Sequence, residues 1–229
     1  MKPYYADDAV TLYHGDAREI VPALGHVDAI VTDPVWPNAT VELAGHENPG
    51  GLLRAVLDAA DADRAIVPLG CDTDPRFLDA VPLRWPFLRV CWLRYSRPNY
   101  KGRLLNGADV AYVFGQAPTP RPGATVMPGE SNAFEVCNTN SDPRTPWHPC
   151  PRRLAHVAFL VQRFGGGIVL DPFSGSGTTL VAAKSAGVRA IGVEIEERYC
   201  EGIARRVEMT TASMFALVDG AAKAAEERA

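Results

Sequence analysis

LDPFSGSGTT, residues 170–179, joins the end of an apolar run to the start of a helical one through two glycines. The run 168–171 (IVLD) reads as a strand that stops at Asp171. A tight turn follows with Gly175 and Gly177, and a helix begins near Thr178. Glycines at such a turn let the backbone pass close to a ligand. The next apolar run, 190–194 (AIGVE), ends in Glu194. An acid at the end of the second strand, about 20 residues on, is placed to accept hydrogen bonds from ribose hydroxyls. The turn is neither G-x-G-x-x-G nor G-x-x-x-x-G-K-[ST], and Asp171 at its mouth would repel a phosphate. It suits a nucleoside that carries a cationic amine, as S-adenosylmethionine does.

Working outward, five further short strands are expected: 10–14 (VTLYH), 28–32 (DAIVT), 64–68 (RAIVP), 88–93 (LRVCWL) and 109–114 (DVAYVF). Most are apolar runs of the kind covered on both faces. Helical patterns lie between several of them, at 17–24 with Asp16 as its cap, 51–60, 152–164, 176–186 and 197–209. This alternation predicts an α/β fold with an open, mostly parallel sheet and helices on both faces. Residues 115–150 break the rhythm with Pro118, Pro120, Pro122, Pro128, Pro143, Pro146 and Pro149. The segment is too long for a routine connection and reads as an insertion carrying a binding surface within a single domain, 1–229. Residues 36–51 read as a second loop, and the tail from about 212 as a helix or a frayed end.

Composition narrows the function classes. No apolar run reaches the roughly 18 residues of a membrane span. The opening MKPYYADDAV lacks the apolar core of a secretion signal, so a cytoplasmic protein is expected. Positive charge is carried almost wholly by Arg, which points to a GC-rich gene of bacterial or phage origin. The cysteines (Cys71, Cys91, Cys137, Cys150, Cys200) are odd in number and form no C-x-x-C pair, against a disulfide framework and a structural zinc site. Net charge is −4, so the whole chain is no polycation, yet RYSRPNYKGR, residues 94–103, holds Arg94, Arg97, Lys101 and Arg103 without an acid. It reads either as a solvated loop or as a phosphate-contacting patch.

AIVTDPVWPNAT, residues 29–40, ends a buried-looking strand in an acid and, three residues later, a flat ring. Methyl transfer to an exocyclic amine needs two acceptors for the amine hydrogens and a stacking surface for a base held outside its duplex. The Asp33 carboxylate, the Pro34 carbonyl and the Trp36 ring meet that need, with orientation and fixed dipoles supplying most of the gain.

These stretches together resemble the amino-group DNA methyltransferases, whose signature is D-P-P-Y or a near variant such as S-P-P-W, with an F-x-G-x-G turn elsewhere. Phe173-Ser174-Gly175-Ser176-Gly177 matches the turn. Val35 stands where the family usually has proline, and Trp36 replaces the commoner tyrosine. The acid-aromatic motif precedes the glycine turn, an order that resembles the β group. If IVLD and AIGVE are strands one and two, VTLYH becomes three, DAIVT four, and the remaining runs five to seven. The resemblance thus implies a class-I, Rossmann-like, seven-stranded sheet, circularly permuted between strands two and three, with 115–150 as a small target-recognition insertion.

It also implies site residues. LYHGDAREIVPAL resembles the segment whose acid, here Asp16, faces the cofactor adenine, with Ala17 beside it. TPWHPCPRRLAHVAFLVQRF resembles the H-P-x-x-K-P segment, with Arg152 and Arg153 in place of the lysine and proline. Asp171, Phe173, Gly175, Gly177, Thr178, Glu194 and His148 complete the cofactor set, and no metal is implied. WLRYSRPNYKGRLLNGADVAYVFG resembles a basic loop before the last strand. Arg94, Arg97, Lys101, Arg103 and Arg144 are the expected contacts to double-stranded DNA. Arg121, Asn132, Asn138 and Asn140 are candidates for reading base edges. So small a reading surface suggests a short recognition site or a homodimer, and the partner of a restriction endonuclease and an orphan enzyme fit equally. Asp33 favours adenine N6 over cytosine N4, while Trp36 is common in the cytosine set. Three other readings stand beside these: a cytosine-C5 enzyme using Cys150, disfavoured by motif order; an RNA substrate, disfavoured likewise; and a degraded relative that binds DNA or cofactor without turnover.

Overall fold

The computed structural model describes residues 1–39, 41–101, 103–118 and 145–211, with the backbone alone at 96, 97, 99 and 101. The tail beyond 211 and most of the insertion, including Arg144, Arg121, Asn132, Asn138 and Asn140, lie outside the described residues.

Eight strands form one sheet: β1 (Tyr5–Ala6), β2 (Val10–His14), β3 (Val27–Val31), β4 (Ala62–Gly70), β5 (Phe87–Lys101), β6 (Leu104–Gly115), β7 (Ile168–Asp171) and β8 (Arg189–Glu194). Their order is β1-β2-β8-β7-β3-β4-β6-β5. The five from β2 to β4 run parallel, β6 runs antiparallel to both β4 and β5 so that β5 points the same way as the five, and β1 is a short antiparallel edge. Numbered from the glycine turn, that is 3-2-1-4-5-7-6, the permuted order expected from the motifs.

The helices are α1 (Ala17–Ile20), α2 (Pro49–Ala59), α3 (Leu154–Phe164), α4 (Thr178–Ser185) and α5 (Glu197–Glu208), each where the periodicity placed one. Successive residues of a strand point to opposite faces, and both faces are covered. Ala29, Val31 and Ile66 meet Val157, Phe164, Val181 and Ile203 of α3–α5. Val27, Ile30, Ala65 and Val67 meet Ile20, Leu53 and Leu57 of α1 and α2. Helix α2 begins two residues earlier than expected because Asn48 caps it, accepting from the Gly51 amide at 3.0 Å, and Pro49 opens the first turn.

One expectation is corrected. Residues 94–103 are not a solvated loop. β5 and β6 pair almost to their tips, Asn99 with Asn106 and Lys101 with Leu104, as a ribbon that continues past the sheet. Pro98 falls inside the register irregularity between Arg94 and Asn99, where the ladder needs no N–H from it. Among the described residues, no helix is long and apolar enough to cross a membrane.

Candidate active site

β7 and β3 lie side by side, Ala29 against Val169 and Ile30 against Leu170. From β7 the chain crosses through α4 to β8 on one side. From β3 it crosses through α2 to β4 on the other. Ligands of open α/β sheets bind in the crevice that such a reversal leaves outside the carboxyl ends of the strands. Asp171 ends β7, and Asp33 lies two residues past β3. Among the described residues a cleft of about 1030 Å³ opens at this point. Asp16, Ala17, His148, Asp171 and Phe173 line it, as do Gly175, Thr178 and Glu194, and so do Asp33, Pro34 and Trp36. Gly177 does not line it; a side chain there would meet Ile203 at 2.9 Å.

The glycine turn is built from its neighbours. Gly175 and Gly177 have φ of +50° and +74°, the left-handed region that other residues avoid. A β-carbon on Gly175 would sit 3.0 Å from Nε2 of His148. The Gly175 amide donates to Glu194 at 2.7 Å, and the Glu196 amide donates to its other oxygen at 2.9 Å. Burial raises the Glu194 pKa, partly offset by the backbone amides of Glu196 and Gly175. Arg206 of α5 is buried below the turn and donates to the Ser176 carbonyl at 2.8 Å and the Thr178 hydroxyl at 3.0 Å. Nothing in the motif pointed to Arg206; its only signal is a cation on a helical stripe that is otherwise apolar.

The His148 ring lies tilted against Tyr199, ring centres 4.8 Å apart, and burial followed by Arg198 and Arg206 pushes its pKa down to about 4. The ring is therefore neutral at pH 7. Nδ1 accepts from the Cys150 amide at 3.2 Å, which leaves the proton on Nε2, toward Gly175. Asp16 caps α1 by accepting from the Arg18 amide at 2.8 Å, and the Arg18 side chain holds its pKa low. Asp171 is buried and makes no ion pair among the described residues. Burial raises its pKa to about 7, against hydrogen bonds from Thr179 and the Phe173 amide.

The Asp33 side is arranged around an arginine. Arg152 donates to both Asp33 oxygens, from Nε at 2.6 Å and Nη2 at 2.7 Å. Its Nη1 donates to Asp109 at 2.6 Å. The guanidinium carbon lies 4.1 Å from the centre of the Trp36 ring. Burial disfavours the Arg152 charge, but Asp33 and then Asp109 more than offset this and raise its pKa. The Trp36 ring also packs against Gly70, where a β-carbon would come within 2.8 Å of it. The sequence singled out Arg152 only as a replacement in a motif, and Asp109 only as an acid before the last strand. Cys150 lies at the cleft with its pKa raised, first by burial and then by Asp33, so the thiolate a C5-type nucleophile needs is disfavoured.

Of the expected DNA contacts, Arg94 and Arg103 are exposed on the β5–β6 ribbon, and Arg97 and Lys101 lie on its backbone path. Tyr100 and Asn106 of the ribbon reach the cleft lining. Among the described residues, no group of three or more His, Cys, Asp or Glu could hold a metal ion.

Strand order 3-2-1-4-5-7-6 with a cleft at the reversal defines a class-I methyltransferase fold in permuted form. Comparison narrows this. The model of a family described as DNA methylase matches residues 96–206. Type II methyltransferase M.ScaI of Streptomyces caespitosus is 26% identical over 268 residues, spanning 93% of this chain and 86% of its own. Type II methyltransferase M.SmaI of Serratia marcescens is 31% identical over 98 residues, 42% of this chain and 34% of its own. The crystal structure of the M1.HpyAVI–SAM complex superimposes with a TM-score of 0.63 at 20% identity, covering 87% of this chain and 100% of that one. The cytosine-N4-specific PvuII DNA methyltransferase gives 0.63 at 16% identity, covering 95% and 93%. In sequence and fold the chain is thus similar to DNA methyltransferases of the N6/N4 amino-methyltransferase kind.

Proposed function

We propose that the chain transfers a methyl group from S-adenosylmethionine to the exocyclic amine of a base turned out of double-stranded DNA, adenine N6 in preference to cytosine N4. The observation that carries this is one cleft with two unlike sets of residues. A carboxylate and a flat ring, Asp33 and Trp36, share its lining with a buried carboxyl at the start of a glycine turn, Asp171.

The residues fit the cofactor. A buried acid that makes no ion pair among the described residues, raised to about 7, is suited to an ammonium group. Asp171 would take that group, Glu194 the ribose and Asp16 the adenine edge, with Phe173 and His148 closing the sides. Bound there, S-adenosylmethionine supplies a methyl group already activated as a sulfonium.

The chain's own residues handle the acceptor. The exocyclic amine is a poor nucleophile because its lone pair is spread into the base. Asp33 accepts one amine hydrogen and the Pro34 carbonyl the other, which favours a pyramidal nitrogen with its lone pair free. Trp36 stacks on the extruded base and offsets part of the lost stacking in the duplex. When the new bond forms, the nitrogen carries a surplus proton, which Asp33 accepts and passes to water. The β5–β6 ribbon, with Arg94, Arg97, Lys101 and Arg103, lies along the DNA backbone.

The test is methylation of unmethylated genomic DNA by the purified chain, followed by digestion to nucleosides and mass spectrometry. N6-methyladenine is expected, falling about a hundredfold or more in Asp33→Ala. N4-methylcytosine would establish the second reading. Cofactor binding with no methylated nucleoside would refute both.

A further inference from the structure

Arg152 does in this structure what the target base is asked to do. The base must lay a flat face on Trp36 and offer N–H donors to Asp33. The guanidinium is flat, lies 4.1 Å from the Trp36 ring centre and donates to both Asp33 oxygens at 2.6 and 2.7 Å. Both recognition elements are engaged at once by one side chain. A base cannot take that face of the ring and those two oxygens while the guanidinium holds them.

We propose that Arg152 occupies the target-base subsite of the free enzyme, so that base entry is an exchange with its guanidinium. The proposal rests on the reading that Asp33 and Trp36 receive the base. Removing a cation from a buried carboxylate is ordinarily costly, because it strands a charge on each side. Here the second partner limits that cost. Asp109, its side chain 8% exposed, stays on Nη1 at 2.6 Å when the Asp33 side lets go. The arginine then has a carboxylate to pivot on and does not become a bare buried cation. Asp33 in turn exchanges one set of N–H donors for another.

The exchange also screens the incoming group. Adenine and cytosine bring a flat ring and an amine with two hydrogens, so they replace what the guanidinium gives up. Thymine presents carbonyl oxygen where the amine would be and would face the Asp33 carboxylate without a hydrogen between them. A pocket that fills itself in this way rejects bases that cannot chelate Asp33.

Methylation-sensitive sequencing of the same treated genomic DNA, before its digestion to nucleosides, locates the methylated site. A fluorescent duplex carrying that site, its target base mispaired so that unpairing is already paid, is titrated with wild type and with Arg152→Lys, both saturated with S-adenosylhomocysteine. The lysine keeps a cation between Asp33 and Asp109 but cannot stack flat or chelate. Occupancy of the subsite by the guanidinium lowers the competent fraction of the free enzyme and weakens apparent binding in proportion. Its removal is therefore expected to tighten the Kd about tenfold. The gain should vanish when thymine stands at the target position. An unchanged or weaker Kd with the amino base overturns the proposal, as does an equal gain with thymine. If the variant does not fold, the crystal structure of the wild type on the same duplex decides. A guanidinium off Asp33 supports the exchange, and one still chelating it overturns it. A chain that methylates no base would already have failed the genomic assay, which refutes the parent reading and this one with it.

Discussion

Replacing Asp171 with asparagine separates the stability of the free protein from its use of the cofactor. Burial moves the protonation midpoint of this carboxyl from 3.8 to about 7. The unfolded chain keeps the ordinary value, so the folded state binds the proton more tightly. Stability contributed by this group is full below the unfolded midpoint near 4 and is lost as pH rises through about 7. At about 1.4 kcal/mol for each tenfold in proton affinity, the loss comes to about 4 kcal/mol. Asparagine keeps the shape and the acceptor for the Phe173 amide but does not ionise. In urea unfolding without ligand, the advantage of Asp171→Asn over the wild type is expected to grow from about 1 kcal/mol near pH 4.5 to about 4 kcal/mol at pH 8. Cofactor binding should move the other way. An ammonium group favours the ionised acid, so wild-type affinity for S-adenosylmethionine rises with pH through 7. Calorimetry in buffers of different ionisation heat should record a released proton near pH 6, and the variant should bind weakly with no such release. Stability curves that run parallel for the two proteins from pH 4.5 to 8 would refute the reasoning, because the buried acid would then be charged or compensated throughout.

Two further outcomes follow from the same geometry. Gly175→Ala places a β-carbon at φ +50°, 3.0 Å from Nε2 of His148. It should cost about 1–2 kcal/mol in thermal unfolding and weaken cofactor binding by calorimetry. Arg103→Ala, at the exposed turn of the ribbon, should leave cofactor affinity unchanged and reduce the slope of log K for DNA against log salt by about 1.

What the sequence made legible follows the range of the interactions. β7, the glycine turn, α4 and β8 were readable because burial on both faces leaves uninterrupted apolar runs and each strand stops at an acid. Asp33 and Trp36 were readable as cleft residues because they sit together just past the end of one strand. The ribbon was not, since Pro98 and Gly102 carry loop signals and only the pairing of Asn99 with Asn106 and its neighbours overrides them. Arg152 was seen only as a motif replacement because its meaning is non-local. It finds Asp33 across 119 residues of chain and Asp109 across 43. Arg206 was missed for the same reason, its partners in the turn lying 28 and 30 residues away.

Val35 can be weighed in the same terms. A second proline after Pro34 would stiffen the loop that carries the acid and the ring, by fixing φ in the unfolded and folded chain alike. Valine gives that up, yet the loop is restrained by other contacts. Arg152 clamps Asp33 through two hydrogen bonds, and Pro34 is buried. Trp36 is seated on Gly70 of β4, which has no side chain to push it away. The Ala39 amide donates to the Trp36 carbonyl at 3.0 Å, and the Thr73 hydroxyl donates to Asn38 at 3.0 Å, tying the loop to the turn after β4. The restraint that proline would supply locally is supplied here by tertiary contacts, and the Asp33 part of it rests on Arg152. Release of Arg152 by an incoming base would therefore free the loop and open the subsite in the same step, whereas a loop stiffened by proline would keep its shape through the exchange.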